Sequence, residues 1–431
     1  MEEITPKTAP RNNMRLGLKL LIIIGISVLL LIPQFLIMNL VTERQSTRND
    51  AKRELAKSWG MDQHIEGPAI VIPVKEKQLY LFPESLDVSG NIQSQTLKRG
   101  IFEYSVYNAP IKISGTFKCP KELLKRGISQ NACEKSFLFI GLGDLRGLSE
   151  NVTIKLNGIS CQAEPASSFA ESPSINGLVC AFNLSTLLNG DTVLFEITLP
   201  IKGIDGLYLA PVGNSTSVSL TSDWGDPSFQ GNFLPTQREV SDNGFKAVWK
   251  VMALNRDYGQ IATVASDSYR WQAMMEGSEL GVNLCIPVDQ YQQTTRTVKY
   301  AILIIILTFA VVFFVEVRRK TNVHIVQYIL IGIALLLFYT LLLSFSEHLL
   351  FAISYAIAAL MTIGLITVFM AAILKDKKTA LVVGGLLTLL YIFIFVLLQL
   401  ESYALLAGSL GLFVILAATM YATVKIRRQR S

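Results

Sequence analysis

Six runs of apolar residues, each long enough to cross a bilayer as a helix, leave this chain few ways to fold. A hydrocarbon core about 30 Å thick takes roughly 20 helical residues, and the runs cover residues 20–40, 300–317, 325–345, 349–374, 380–400 and 403–424. Each is bounded by charge or by a short polar turn. One run stands near the N-terminus and five crowd the C-terminus, while the interval between them reads as water-exposed protein. A hydrophobic content of 51% over 431 residues fits that division and not an ordinary soluble protein.

Basic residues orient the runs. Lys7, Arg11, Arg15 and Lys19 precede the first; Arg318, Arg319 and Lys320 follow the second. Lys375, Lys377 and Lys378 follow the fourth, and Lys425, Arg427, Arg428 and Arg430 follow the sixth. The turns at the opposite ends, residues 346–348 and 401–402, carry neither Lys nor Arg. The positive-inside rule then predicts both termini in the cytoplasm and the middle of the chain outside. The first run is long for a cleaved signal, and Val41, Glu43 and Arg44 do not resemble a small-residue cleavage site, so it is expected to stay as an anchor.

The domain plan that follows is a basic N-terminus at 1–19, a signal-anchor helix at 20–41, an exported β-rich domain with a helical stalk at 42–298, five spans at 299–424 and a basic tail at 425–431. The fourteen basic residues named above more than account for the net charge of +6. The positive balance is thus a topology signal, and no nucleic-acid partner is expected.

Within the middle segment, Leu55 and Trp59 stand four apart among charges and predict a polar helix ending at Gly60. Beyond it the period changes from helical to alternating. Val152, Ile154 and Leu156 alternate with Thr153 and Lys155 before Asn157-Gly158, a two-residue hairpin turn. Val193, Phe195, Ile197 and Leu199 alternate likewise, as do Phe245, Ala247, Trp249 and Val251 after Asn243-Gly244. The expected fold class is a six-span helical membrane bundle plus a large all-β, sandwich-like exported domain.

All five cysteines lie in that exported segment, where an oxidising compartment favours pairing. The economical pairs are Cys119 with Cys133 and Cys161 with Cys180, each worth about 3 kcal/mol at most, with connectivity open from sequence alone. Cys285 reads as a buried thiol in a strand. No CxxC spacing occurs, and the three histidines are far apart, so no metal and no cofactor are expected.

A search for chemistry returns no nucleophile elbow, phosphate loop, zinc motif or dinucleotide fingerprint. The segment "GLGDLRGL" reads as a turn. What remains is "YTLLLSFSEHLLFAISY", which sets Glu347 beside His348 at an outer turn, with Ser344 four residues before the histidine. Gln399, Glu401 and Ser402 form the other outer turn. Two readings stand side by side: polar tops for short hairpins, with Tyr339, Tyr355, Tyr391 and Tyr403 as interfacial aromatics, or a cluster of Glu347, His348 and Glu401 that relays a proton-linked or contact-linked signal. The span interiors are expected to offer little beyond Ser, Thr, Gly and Tyr, with Pro33 the only proline in a span, which speaks against transport.

Several long pieces carry a resemblance. "KSWGMDQHIEGPAIVIPV", "RGIFEYSVYNAPIKISGTF", "GLGDLRGL", "LAPVGNSTSVSLTSDWGDPSFQGNFLPTQREVSDNGFKAVWKVMALNR", "LGVNLCIPVDQYQQTTRTVKYAILIIILTF", "QYILIGIALLLFYTLLLSFSEHLLF" and "LLQLESYALLAGSLGLF" run in order almost end to end. The chain resembles the bacterial inner membrane protein CreD family, also called cell envelope integrity proteins. Trp59, Gly60, Gln63, Gly67, Pro68, Arg99, Gly100, Trp224, Pro227, Ser228, Phe229, Glu347, His348 and Glu401 fall on its motif positions. Asp226 stands where that family often has His, and the pieces holding Cys119 to Cys180 match no family pattern.

The resemblance implies an inner-membrane protein with one N-terminal span, a large periplasmic domain and a C-terminal group of spans, linked to envelope stress and to the two-component system of the same name. It implies no catalytic mechanism. The expected function is therefore a non-catalytic protein of envelope integrity, with membrane lipids and an envelope protein or glycan as partners. The alternative is a membrane-embedded enzyme or transporter using Glu347, His348 and Glu401, with Ser344 and Gln399 beside them.

Overall fold

The computed structural model of the chain describes residues 16–74, 77–168, 176–265, 269–284, 290–319, 321–400 and 403–428. They fall into two compact units, one made of Met1–Thr47 with Val288–Ser431 and the other of Arg48–Pro287.

The first unit is helical. Its first run of helix is Leu16–Leu29 (α1), followed at once by Leu31–Trp59 (α2). The break has a local cause: Pro33 has no N–H to offer, and its ring excludes the carbonyl four residues back, that of Leu29, where α1 ends. Pro33 itself is tolerated because it lies in the first turn of α2, whose N–H groups need no helical partner. No break separates anchor from stalk, for α2 runs on through 41–42, where the hydropathy changes.

The middle segment adds Lys121–Lys125 (α3), Gln130–Glu134 (α4), Ser185–Leu188 (α5) and Tyr269–Glu276 (α6). After it come Gln290–Lys299 (α7), Ala301–Arg319 (α8), Ile325–Ser346 (α9), Phe351–Leu374 (α10), Lys377–Gln399 (α11) and Ala404–Arg428 (α12). Among the described residues five helices are long and apolar enough to cross a membrane, not six. The run at 403–424 also becomes a helix, α12, of which Leu406–Ala417 is the apolar stretch among the described residues.

Tyr339, Tyr355 and Tyr391 turn inward, not outward as aromatic anchors would. All three are buried around Phe338, whose ring meets theirs edge-on at 4.9, 5.4 and 5.0 Å, and the Tyr355 hydroxyl donates to the Tyr391 carbonyl at 2.8 Å. Only Tyr403 of the four is exposed. Helix–helix packing without a hydrophobic gradient depends on such close shape matching. Gly332 on α9 serves it directly, because a Cβ there would stand 2.3 Å from a methyl of Leu30.

The second unit is built on two sheets. The nine-stranded sheet centres on the strand Gln63–Val74, which pairs antiparallel with Lys77–Leu81 and Phe137–Leu142 and parallel with Gly206–Leu209. Gly206–Leu209 in turn pairs antiparallel with Leu280–Leu284. The eight-stranded sheet centres on the long hairpin Ser85–Arg99 and Phe102–Phe117, flanked by Val193–Ile204 and by Ser215–Ser222. Residues of both sheets, among them Ile70, Phe139, Ile111 and Phe195, share one core.

Alternation places the expected faces inward: Val193, Phe195, Ile197 and Leu199 are buried, and so are Phe245, Ala247, Trp249 and Val251. Asn157 and Gly158 take positive φ and turn the chain from Thr153–Leu156 into Ile159–Cys161. The second hairpin turns one residue earlier than its Asn-Gly pair suggests, since Ser241 pairs with Gly244 across Asp242 and Asn243.

A disulfide joins Cys161 to Cys180, linking an edge strand of the eight-stranded sheet to Gly177–Ala181 of the nine-stranded one. Cys119 and Cys133 do not pair. Helix α3 intervenes between them, α4 turns its own Cys133 into the core, and both thiols are free. Burial pushes both of these thiols up from the ordinary cysteine value. Cys285 and Glu401 lie outside the described residues.

Candidate functional site

The turn after α9 keeps its polar residues apart. Ser344 and His348 are exposed, as is Gln399 at the end of α11. Glu347 caps α9 and is mostly covered; its Oε1 lies 3.4 Å from Nε of Arg44 on α2, an ion pair without hydrogen-bond geometry, so that oxygen has no hydrogen-bond partner. Glu347 and His348 thus form no dyad, and the nearest charged partner of Glu347 is a cation that sequence reading did not assign to it.

A stronger charge pair sits where the span interior promised none. Glu316, near the end of α8, is buried and receives Lys19 of α1 on Oε1. The same lysine donates to Asn322 Oδ1 at 2.9 Å and to the Val323 carbonyl at 2.6 Å. Tyr328 of α9 donates to Glu316 Oε2 at 2.8 Å, and the Val323 N–H donates to Oε1 at 3.2 Å. Every charge is matched by hydrogen bonds, the condition under which a buried ion pair is stable. Next to it His324 caps α9: its ring accepts from the Val326 N–H at 3.3 Å, while its backbone N–H donates to Gln327 Oε1 at 2.8 Å. That leaves His324 in a structural role.

In the second unit, charge gathers near the start of the first strand and the end of the last. Lys52 of α2 reaches Asp205 Oδ2 at 2.7 Å and Asp62 Oδ1 at 3.0 Å. Burial alone would lower the lysine, but the two carboxylates outweigh it and hold its pKa above the ordinary value. Asp205, at φ 62°, accepts from Ser105 Oγ at 3.1 Å, and that hydroxyl also lies 2.6 Å from the Leu284 carbonyl. The Leu284 N–H closes the circuit onto the Asp205 carbonyl at 2.8 Å. Asp144 of "GLGDLRGL" fastens the start of the first strand, accepting from the Met61 N–H at 3.1 Å while Arg146 clamps it. Burial works against its ionisation, yet Arg146 and these N–H donors hold it below the usual carboxylate range.

Two residues further in, His64 and Glu66 stand on one face of the first strand, as period two requires. His64 Nδ1 lies 2.8 Å from Glu279 Oε1, and its ring stacks on Tyr208 at 4.8 Å. Glu66 accepts the Trp271 indole N–H. Opposite Glu66 the neighbouring strand has Gly141, where a Cβ would stand 2.9 Å from that of Glu66. Burial, reinforced by the charge of Glu279, pushes the Glu66 carboxyl up to about 7 despite the indole bond. Burial lowers His64, but the hydrogen bond and charge of Glu279 outweigh it and raise its pKa. The arrangement can bind and release protons near neutrality.

Sequence reading quoted these residues inside a motif piece and did not single them out. The signal was there, a lone Glu in the apolar strand "HIEGPAIVIPV", as was the lone Glu316 in α8. Among the described residues no three His, Cys, Asp or Glu side chains are placed to hold a metal ion.

Among the described residues, five apolar helices of spanning length, with a two-sheet unit inserted in the chain after the first, define a multi-pass membrane protein. The family described as "Inner membrane protein CreD" matches residues 15–428, nearly the whole chain. The chain is also 31% identical over 332 residues to the "Inner membrane protein CreD" of Escherichia coli (strain K12), covering 72% of this chain and 71% of that protein. It belongs to the CreD family of inner membrane proteins.

Proposed function

We propose that the chain is a non-catalytic inner-membrane protein that supports the integrity of the bacterial envelope and its tolerance of stress, acting through its β unit in the periplasm. In this reading both termini are cytoplasmic, the helices sit among membrane lipids, and the β unit meets an envelope protein or glycan. The single observation that carries it is the pattern of helix ends: Lys19 precedes the first span, Arg318 and Arg319 close α8 and Lys377 opens α11, while the turn after α9 holds only Glu347 and His348. Family membership supports the membrane setting.

The described outer turn, after α9, lends an enzyme or transporter little support. Ser344, His348 and Gln399 are exposed and apart, and Glu347 faces Arg44. Reporter fusions after Lys377 and at the C-terminus test the topology, with cytoplasmic signal expected from both. In a strain lacking the gene, wild-type protein is expected to restore tolerance of an envelope-directed agent. Restored tolerance from a chain without residues 63–284 would refute the role given to the β unit.

A further inference from the structure

The segment from α6 to the last strand straddles one face of the first. Trp271 on α6 meets Glu66, and Glu279, three residues beyond the end of that helix, meets His64. Between the first and last strands lies only Gly206–Leu209, with His64 paired to Tyr208 and Tyr208 paired to Gly281. Gly281 leaves the Tyr208 ring its space, since a Cβ there would stand 2.6 Å from the ring. The stacked imidazole is held over that ring with one nitrogen on Glu279. We propose that His64, Glu66 and Glu279 form a proton-operated latch that fastens the last strand of the β unit, Leu280–Leu284, to the first.

The groups facing the latch come from every element packed on it. From α6 and the turn after it come Trp271, Glu276 and Glu279; Lys77–Leu81 adds Tyr80, and Gly206–Leu209 adds Tyr208. The first strand's own approach adds Asp62, while Phe137–Leu142 adds no ionisable side chain and approaches through Gly141. Acids therefore outnumber the single imidazole. With His64 protonated and Glu66 neutral, the imidazolium faces the Glu279 carboxylate and the buried carboxyl carries no charge beside it. Raising the pH removes the proton from His64, weakening the pair, and removes that of Glu66, leaving two carboxylates close together in a partly dry site. Both steps loosen the same fastening, so closure requires low pH.

The latch does not depend on the envelope role. Hydrogen exchange on the full-length protein in lipid nanodiscs tests it. After correction for intrinsic exchange rates, amides of 280–284 are expected to open about tenfold or more often at pH 8 than at pH 6, as a one-unit shift in a coupled group dictates. Glu66→Gln, which mimics the neutral carboxyl, should retain part of the protection at pH 8 and leave the smaller dependence due to His64, and the Glu66→Gln/His64→Gln pair should abolish what remains. Equal protection of the wild type at both pH values, or a dependence that survives the double variant, would overturn the latch. Should the variants fail to fold, 13C-histidine spectra of the wild type decide, since the chain has only three histidines. A signal titrating above the ordinary imidazole range is expected for His64, and three ordinary titrations would refute it.

Discussion

The helical unit and the β unit bury charge in opposite ways. Around Lys19 and Glu316 each carboxylate oxygen has donors from neighbouring helices and the lysine has three acceptors, so the pair is complete as ions. Around Glu66 there is one indole N–H and a second carboxylate nearby, so the group is comfortable only when neutral. A buried charge with a full set of partners is a fixed joint, whereas one with too few becomes responsive to protons.

Breaking the fixed joint should have the largest effect. Lys19→Met leaves Glu316 buried with only Tyr328 and a backbone N–H, and is expected to cost about 3–5 kcal/mol in thermal unfolding of the purified protein. Adding Glu316→Gln should recover a large part, because the stranded charge goes with it; a double variant no better than the single would remove the distinction between the units.

The responsive site sharpens the comparison with a smaller effect of opposite sign. The folded state holds the Glu66 proton up to about pH 7, while the unfolded chain releases it near pH 4.5. Stability contributed by this neutral group is therefore complete below the unfolded pKa and declines as pH rises through 7. Glu66→Gln should leave stability unchanged at pH 4 and raise it by roughly 1–3 kcal/mol at pH 8. The opposite trend in melting curves would mean that the carboxylate is paired after all. Smallest of all is Arg44→Ala: the arginine side chain is 46% exposed and its contact with Glu347 lacks hydrogen-bond geometry, so a loss of no more than about 0.5 kcal/mol is expected.

Much of the architecture was legible because period and punctuation are local. The alternation at 193–199 and the Asn157-Gly158 turn need only their own neighbours to be read. The sites were harder for the same reason. His64 and Glu279 are 215 residues apart in sequence, and Lys19 and Glu316 are 297 apart, so nothing nearby announces either pair. The outer turn drew attention because its Glu and His are adjacent, yet adjacency on a helix end separates side chains instead of joining them. The buried tyrosines were misjudged likewise, since sequence shows that an aromatic lies in a span but not that Phe338 waits for it on the inside.

The parallel pairing of Gln63–Val74 with Gly206–Leu209, closed in turn by Leu280–Leu284, sets a timetable for synthesis. At about 5–20 residues per second, the ribosome needs roughly 10–40 s after releasing the first of these strands to deliver the last. Until Gly206–Leu209 arrives one edge of the first strand lacks its neighbour, and until Leu280–Leu284 arrives the edge of Gly206–Leu209 lacks its own, so a nascent chain of this design calls for a chaperone or a crowded exit surface to keep it from pairing with a stranger.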